Sequence, residues 1–177
     1  LPPVWRNGIA FLNVFSIAAV ICSLGSRFVF PQLSLEGQGF WILGLAPTTL
    51  RRILLTKFFF SAAATLTISC ALMALATGRL NADAATTRIG ILLAGTIALS
   101  ICGLSVGLGA TFLDLTQRNP AAIVSGFGGT LNLVLTLAVM LGSILPFAFT
   151  LHLREMDLLT PAQGRTGLLL CTVWLLT

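Results

Sequence analysis

The residues able to do acid, base or metal chemistry are few and scattered. The carboxylates are Glu36, Asp83, Asp114, Glu155 and Asp157, and the only histidine is His152. A lone histidine supplies neither a His-based metal cluster nor a catalytic dyad. No carboxylate falls in the middle of an uncharged stretch. Pumps and proton-coupled carriers place ionisable groups inside the membrane, so no proton relay through this chain is expected. The four cysteines, Cys22, Cys70, Cys102 and Cys171, each lie in an apolar segment. No two have metal-ligand spacing, and they read as small buried packing residues. The sequence G-x-x-x-x-G-K-[ST] is absent, so no phosphate loop of that kind is expected. Gly107-Leu108-Gly109 and Gly126-Phe127-Gly128-Gly129 are glycine-rich. They lie in or beside apolar stretches, without the strand–turn–helix setting that a phosphate loop requires. No catalytic, cofactor or metal residue is expected.

The elements that must carry these residues follow from composition. Of 177 residues, 56% are hydrophobic and 8% are charged, and the mean hydropathy is +1.00. A soluble domain carries about 25% charged residues. So few charges cannot cover a water-soluble globule, which excludes a soluble enzyme, a nucleic-acid binder and a disordered segment. An integral membrane protein remains. The net charge of +5 reads as topology-holding residues at membrane-facing ends, with no nucleic acid as partner. The chain starts at Leu1 and stops inside the apolar run 167–177, and it reads as a fragment of a longer polypeptide. No basic segment precedes its first apolar run, so its start is not a signal peptide.

A helix crossing the hydrocarbon core needs about 20 mostly apolar residues. Between ionisable groups, residues 7–26, 58–78, 89–113 and 119–151 are uncharged. The last is longer than one span needs, and Pro146 is expected to end or kink it. Residues 166–177 begin another. The expected fold is all-α: a polytopic transmembrane helix bundle with four complete spans and the start of a fifth. All of 1–177 belongs to one transmembrane domain. Gly103 and Gly107, and Ser125 and Gly129, have the small-x-x-x-small spacing that lets helix backbones approach.

Orientation follows weakly from basic residues. Arg27, Arg51, Arg52, Lys57 and Arg118 fall on one side, and Arg6, Arg79, Arg88, Arg154 and Arg165 on the other. The clustering of Arg51, Arg52 and Lys57 next to a span places the 27–57 loop in the cytoplasm. Within it, residues 37–50 are uncharged but too short to span. They hold Phe40 and Trp41 and several glycines, with Pro47 near their end. From composition alone, two readings stand. One is a helix resting on lipid headgroups. The other is a docking helix with aromatic anchors and a rim of Glu36, Arg51 and Arg52. Asp114, Arg118, Asn119 and Pro120 read as a second cytoplasmic turn, with Asn119 as helix cap and Pro120 in the first helical position.

Two blocks carry a resemblance. The first is Arg27-Phe28-Val29-Phe30-Pro31, Ser34-Leu35-Glu36-Gly37, Phe40-Trp41, Ala46-Pro47, Arg51-Arg52 and Lys57-Phe58. The second is Gly107-Leu108-Gly109, Phe112, Asp114, Asn119-Pro120 and Ser125-Gly126-Phe127-Gly128-Gly129. Together they resemble the membrane (permease) subunit of ABC-2-type ATP-binding cassette exporters. Leu113 departs from the proline expected before the aspartate. The resemblance implies a multi-pass permease in the cell (inner or plasma) membrane. Its partners would be an ABC ATPase subunit, a second permease copy or half, and the lipid bilayer. It implies that 34–50 is a cytoplasmic coupling-like segment, with Glu36, Phe40, Trp41, Pro47, Arg51, Arg52 and Lys57 as ATPase-coupling residues. It also implies that ATP hydrolysis belongs to a separate or missing ATPase domain, so that this chain is expected not to be an enzyme. The alternatives are a membrane-embedded enzyme acting on lipid and a structural membrane assembly subunit.

Overall fold

In lipid, backbone amides and carbonyls must be paired within the chain, and long uncharged stretches meet that demand as helices. The structure, a computed structural model, describes residues 3–39, 42, 45, 49–80, 84–117 and 119–155. No strand occurs among the described residues. Four stretches are long and apolar enough to cross a membrane: Leu12–Gly37, Leu50–Gly78, Gly90–Thr111 and Phe127–Pro146. The all-α bundle with four spans is thereby borne out. The expected start of a fifth span lies outside the described residues, as do Phe40, Trp41, Pro47 and Arg118.

Helix α1 runs Pro3–Leu24. The chain then changes pitch instead of stopping. Gly25–Val29 is a π-helical turn, in which the Phe30 N–H donates to the Gly25 carbonyl. Two 3-10 turns follow, Phe30–Gln32 and Ser34–Gly39. Pro31 has no amide to continue an α-helical ladder. At Gly37 the backbone takes φ 52°, which side chains with a Cβ rarely tolerate. The first span therefore runs past Arg27, the residue at which an uncharged count ends it.

Helix α2 spans Leu50–Leu80 and α3 spans Ala84–Thr111. They form the broadest helix contact. The buried face of α2 repeats every four residues through Ser61, Thr65, Ser69 and Met73, the spacing of one helix face. It meets Leu93, Ala94, Ile97, Ala98, Ile101 and Cys102 on α3. Helix α4 is short, Pro120–Ser125, and α5 spans Phe127–Glu155. Asn132, Thr136, Met140 and Ile144 make the buried face of α5, again four apart. Val14, Ile17, Ile21 and Cys22 of α1 share the core with α3 and α5. Outward faces stay apolar, as at Phe59, Phe60, Leu92, Leu133, Val134 and Leu141, so lipid is their solvent.

Several buried hydroxyls settle within their own helices. Ser61 Oγ donates to the Lys57 carbonyl at 2.6 Å, Thr65 Oγ1 to Ser61 at 2.9 Å and Thr136 Oγ1 to Asn132 at 2.8 Å. This return bond offsets the cost of placing a hydroxyl in an apolar interior. Two expectations change here. The long stretch 119–151 is divided at Gly126, whose backbone is extended between α4 and α5. Pro146 sits inside α5, which continues beyond it. Cys70 is exposed, unlike the buried Cys22 and Cys102, so it is not a buried packing residue.

The small residues divide by register. Gly103 lies 3.7 Å, as measured from an ideal Cβ, from the Phe58 ring, whereas Gly107 faces open space. A Cβ at Gly129 would overlap the Val124 carbonyl, and Ser125 is exposed. A close backbone approach between spans falls at Gly109, where a Cβ would overlap the Phe30 carbonyl oxygen. Overfilling a packed site costs about 1–3 kcal/mol. Gly109→Leu should therefore lower the thermal midpoint and the monodisperse fraction of the detergent-extracted protein, while Gly107→Leu stays near the parent. Equal behaviour of the two variants would remove the Phe30–Gly109 contact from the determinants of the fold.

Candidate functional site

At one end of the bundle the described parts of the two sequence blocks, about 80 residues apart, come together. The π-helical turn and the 3-10 turns form an elbow after α1. Phe30, Pro31, Leu33 and Ser34 of the elbow are buried. The Phe30 backbone lies against Gly109, and its ring lies 3.1 Å from an ideal Cβ at Gly128. Phe112 packs edge-on against Phe127, with ring centroids 5.8 Å apart. The elbow is thus wedged between the end of α3 and the start of α5.

Polar contacts fasten the wedge. The Asp114 N–H donates to Ser34 Oγ at 3.2 Å. Asp114 Oδ1 accepts from the Thr116 hydroxyl at 2.6 Å and from the Thr116 N–H at 2.9 Å. These bonds, the side-chain bond first, hold the Asp114 carboxyl below its ordinary value of 3.8. Asn119 caps α4 by accepting the Ala121 N–H at 3.0 Å, with Pro120 in the first turn. The cap read from the sequence is therefore present. Leu113, where proline was expected, precedes an Asx-type turn that Asp114 makes with the Thr116 N–H.

The second fastening is ionic. Lys57 Nζ lies 2.5 Å from Glu36 Oε1, with both side chains about one quarter exposed. The elbow is thereby tied to the base of α2. Glu36 Oε2 is buried and has no partner among the described residues. Arg51 and Arg52 are exposed on the first turn of α2, where the Thr49 carbonyl accepts the Arg52 N–H at 2.9 Å. Of the residues expected to couple to an ATPase, Glu36 and Lys57 are thus brought together and the two arginines point outward.

A set of interior polar residues was not singled out by sequence reasoning. Asn132 Nδ2 donates to Ser26 Oγ at 3.3 Å between α5 and the π-helical turn. One turn deeper, Cys22 Sγ donates to Thr136 Oγ1 at 3.1 Å. Thr65 and Cys102 pair at 3.0 Å between α2 and α3. The signal was present at Asn132, the one amide in the interior of its apolar stretch, with Thr136 four residues on. Interhelical bonds of this kind contribute about 0.6–1.7 kcal/mol each.

A membrane-embedded helical bundle with one end closed by a fastened elbow is the class that fold and site define. The chain belongs to the family described as "Putative ATP-binding cassette", whose model matches residues 1–175. It is thus an ABC-related, membrane-associated protein. No curated protein and no solved structure matches the chain. The family description overturns the expectation that this chain is not an enzyme, because an ATP-binding cassette is an ATP-hydrolysing class. The glycine-rich runs do not themselves fit a nucleotide. Gly109 is filled by the Phe30 carbonyl, Gly128 by Phe112 and Phe30, and Gly129 by Val124. No step through ATP is assigned to these residues.

Two outcomes follow from the polar fastenings. A depressed carboxyl contributes stability above its unfolded value and loses it as pH falls through the folded one. The parent protein should therefore lose more thermal stability between pH 5 and pH 3 than Asp114→Asn, and equal losses would remove Asp114 from the fastening. For the ion pair, Glu36→Gln and Lys57→Met in a double-mutant cycle should couple by roughly 0.5–1 kcal/mol, the scale of partly exposed pairs. A coupling indistinguishable from zero would leave the elbow held by Phe30 and the Ser34–Asp114 bond.

Proposed function

We propose that this chain forms the membrane-spanning permease part of an ABC-2-type exporter in the cell membrane. The single observation that carries the reading is the convergence of both resemblance blocks on one fastened elbow. Residues 34–50 act as the coupling segment, with their basic surroundings in the cytoplasm. A partner ATP-binding cassette subunit engages this end of the bundle, and ATP hydrolysis moves the spans by alternating access. A second permease copy or half completes the transport unit.

The residue chemistry supports this reading in three ways. Glu36 Oε2 is an acceptor with no partner among the described residues. Arg51 and Arg52 are exposed and unpaired by any described carboxylate. The elbow is fastened to α2 through Lys57 and to the α3–α4 turn through Asp114. A load on 34–50 therefore reaches two spans at once. Phe40 and Trp41 are the aromatic anchors assigned to the docking face, and Pro47 belongs to the same coupling segment. Asp114, Asn119 and Pro120, with Arg118, are assigned to a second contact with the cassette.

The deciding measurement is co-purification of an ATP-binding cassette subunit with the full-length permease, scored against membrane expression. Trp41→Ala should weaken that association about thirtyfold, a hot-spot loss of about 2 kcal/mol. Glu36→Lys should weaken it as well, with a steeper salt dependence. Full recovery of the ATPase with both variants would sink the docking assignment.

A further inference from the structure

The first span contains a cation for which the described residues supply no counter-charge. Arg27 lies inside the apolar stretch Leu12–Gly37 and is exposed. Its neighbours fix that orientation: Ser26 is 1% exposed and Val29 4%, while Phe28 is 64% exposed. The π-helical turn thus buries one side and turns Arg27 and Phe28 outward. The two described carboxylates at this end bond other groups, although Glu36 Oε2 keeps no described partner. Glu36 pairs with Lys57, and Asp114 accepts from Thr116. Arg27 has no ion pair among the described residues.

The surface leading to Arg27 is continuous. Leu12, Ser16, Val20, Ser23 and Arg27 are all exposed, at spacings of three and four that keep them on one face. Phe15 and Phe28 flank the stripe. A charge on an apolar, lipid-facing helix is costly unless it reaches an anion or water. The long arginine stem lets the guanidinium climb to the headgroup level while its methylenes stay in hydrocarbon. A guanidinium presents a planar fork of donors that matches phosphate oxygens. We propose that Arg27 and Phe28 form a binding site for one anionic phospholipid, with its phosphate on Arg27 and its acyl chain along Phe28 and the stripe. Exposed Leu12, Phe15, Val20 and Phe28 along this face offer an acyl chain a surface that the carboxylates of an acidic protein would not use. This inference does not rest on the exporter reading.

The test uses the detergent-purified full-length protein and native mass spectrometry with added phosphatidylglycerol or phosphatidylcholine. The parent should bind a first phosphatidylglycerol more tightly than phosphatidylcholine. Arg27→Gln should lower that affinity about fivefold, the effect of one basic side chain at an anionic lipid surface. Arg27→Lys should keep most of it, which also controls for folding. Phe28→Ala should weaken both lipids. Unchanged phosphatidylglycerol affinity in Arg27→Gln would overturn the site. Displacement by glycerol phosphate at the concentration that phosphatidylglycerol itself requires would overturn the lipid in favour of a free phosphate. Loss of ATPase co-purification in Arg27→Gln with lipid selectivity intact would overturn it in favour of an acidic protein.

Discussion

Everything at the elbow end of this bundle depends on one backbone contact, between Phe30 after the first span and Gly109 near the end of α3. Lipid tails are as apolar as leucine, so helices in a membrane gain little from leaving lipid for one another. What holds them is close packing, and glycine permits the closest. The Phe30 carbonyl occupies the space a Gly109 side chain would fill, and its ring abuts Gly128 at the start of α5. One residue, 2% exposed, therefore fixes the ends of three spans. Ser34 then falls within reach of Asp114, and Glu36 within reach of Lys57. Those polar bonds are made only because the backbone contact has already set the distance.

The sequence carried the number of spans because crossing a bilayer demands uncharged length, and few charges interrupt this chain. It carried the Asn119 cap because cap chemistry is local. It did not carry the division at Gly126, where an extended backbone does what Pro146 was expected to do. Membrane helices absorb proline because neighbouring groups can satisfy the freed carbonyl. Spacing marked Gly103 and Gly107, yet spacing identifies a face without naming what faces it. The antiparallel register of α2 and α3, and the place where the elbow meets α3, put the close approach at Gly109 instead. The Glu36–Lys57 pair joins positions 21 apart through an elbow whose path no periodicity encodes. At Arg27 an uncharged count stops, but the span does not, since a long basic side chain need not break a helix to find water or phosphate.

The glycines illustrate how one residue type serves opposite ends. In a phosphate loop they let anions approach free amides at a helix N-terminus. Gly109 sits at the other kind of end, close to the last turn of α3, where the backbone dipole is negative. There the Phe112 N–H is already spent on the Leu108 carbonyl. Gly128 and Gly129 do open a helix, but the Phe112 side chain and the Val124 carbonyl take the space an anion would need. The family description places the chain among ATP-binding cassettes, and these glycine runs serve helix packing within it.

The arrangement of fastenings sets how force would travel. Within the turn Ser34–Gly39 the chain departs from helical φ and ψ at Gly37. On its N-terminal side, Ser34 and Glu36 are held by Asp114 and Lys57. A displacement of the segment that follows Gly37 would first rotate about that glycine, which resists little. Beyond that range it would pull on Glu36 and hence on the base of α2. Through Ser34 it would pull on the turn joining α3 and α4. The π-helical turn lies just before these ties. Its buried side carries Ser26, held by Asn132 across to α5, and Asn132 Oδ1 has no described partner to hold it in one rotamer. A helix pitch that departs from 3.6 residues per turn, bordered by one strong tie and one incomplete one, is where the first span can change register at least cost. Motion entering at the elbow would therefore be taken up at Gly25–Val29 before it disturbed the apolar core above.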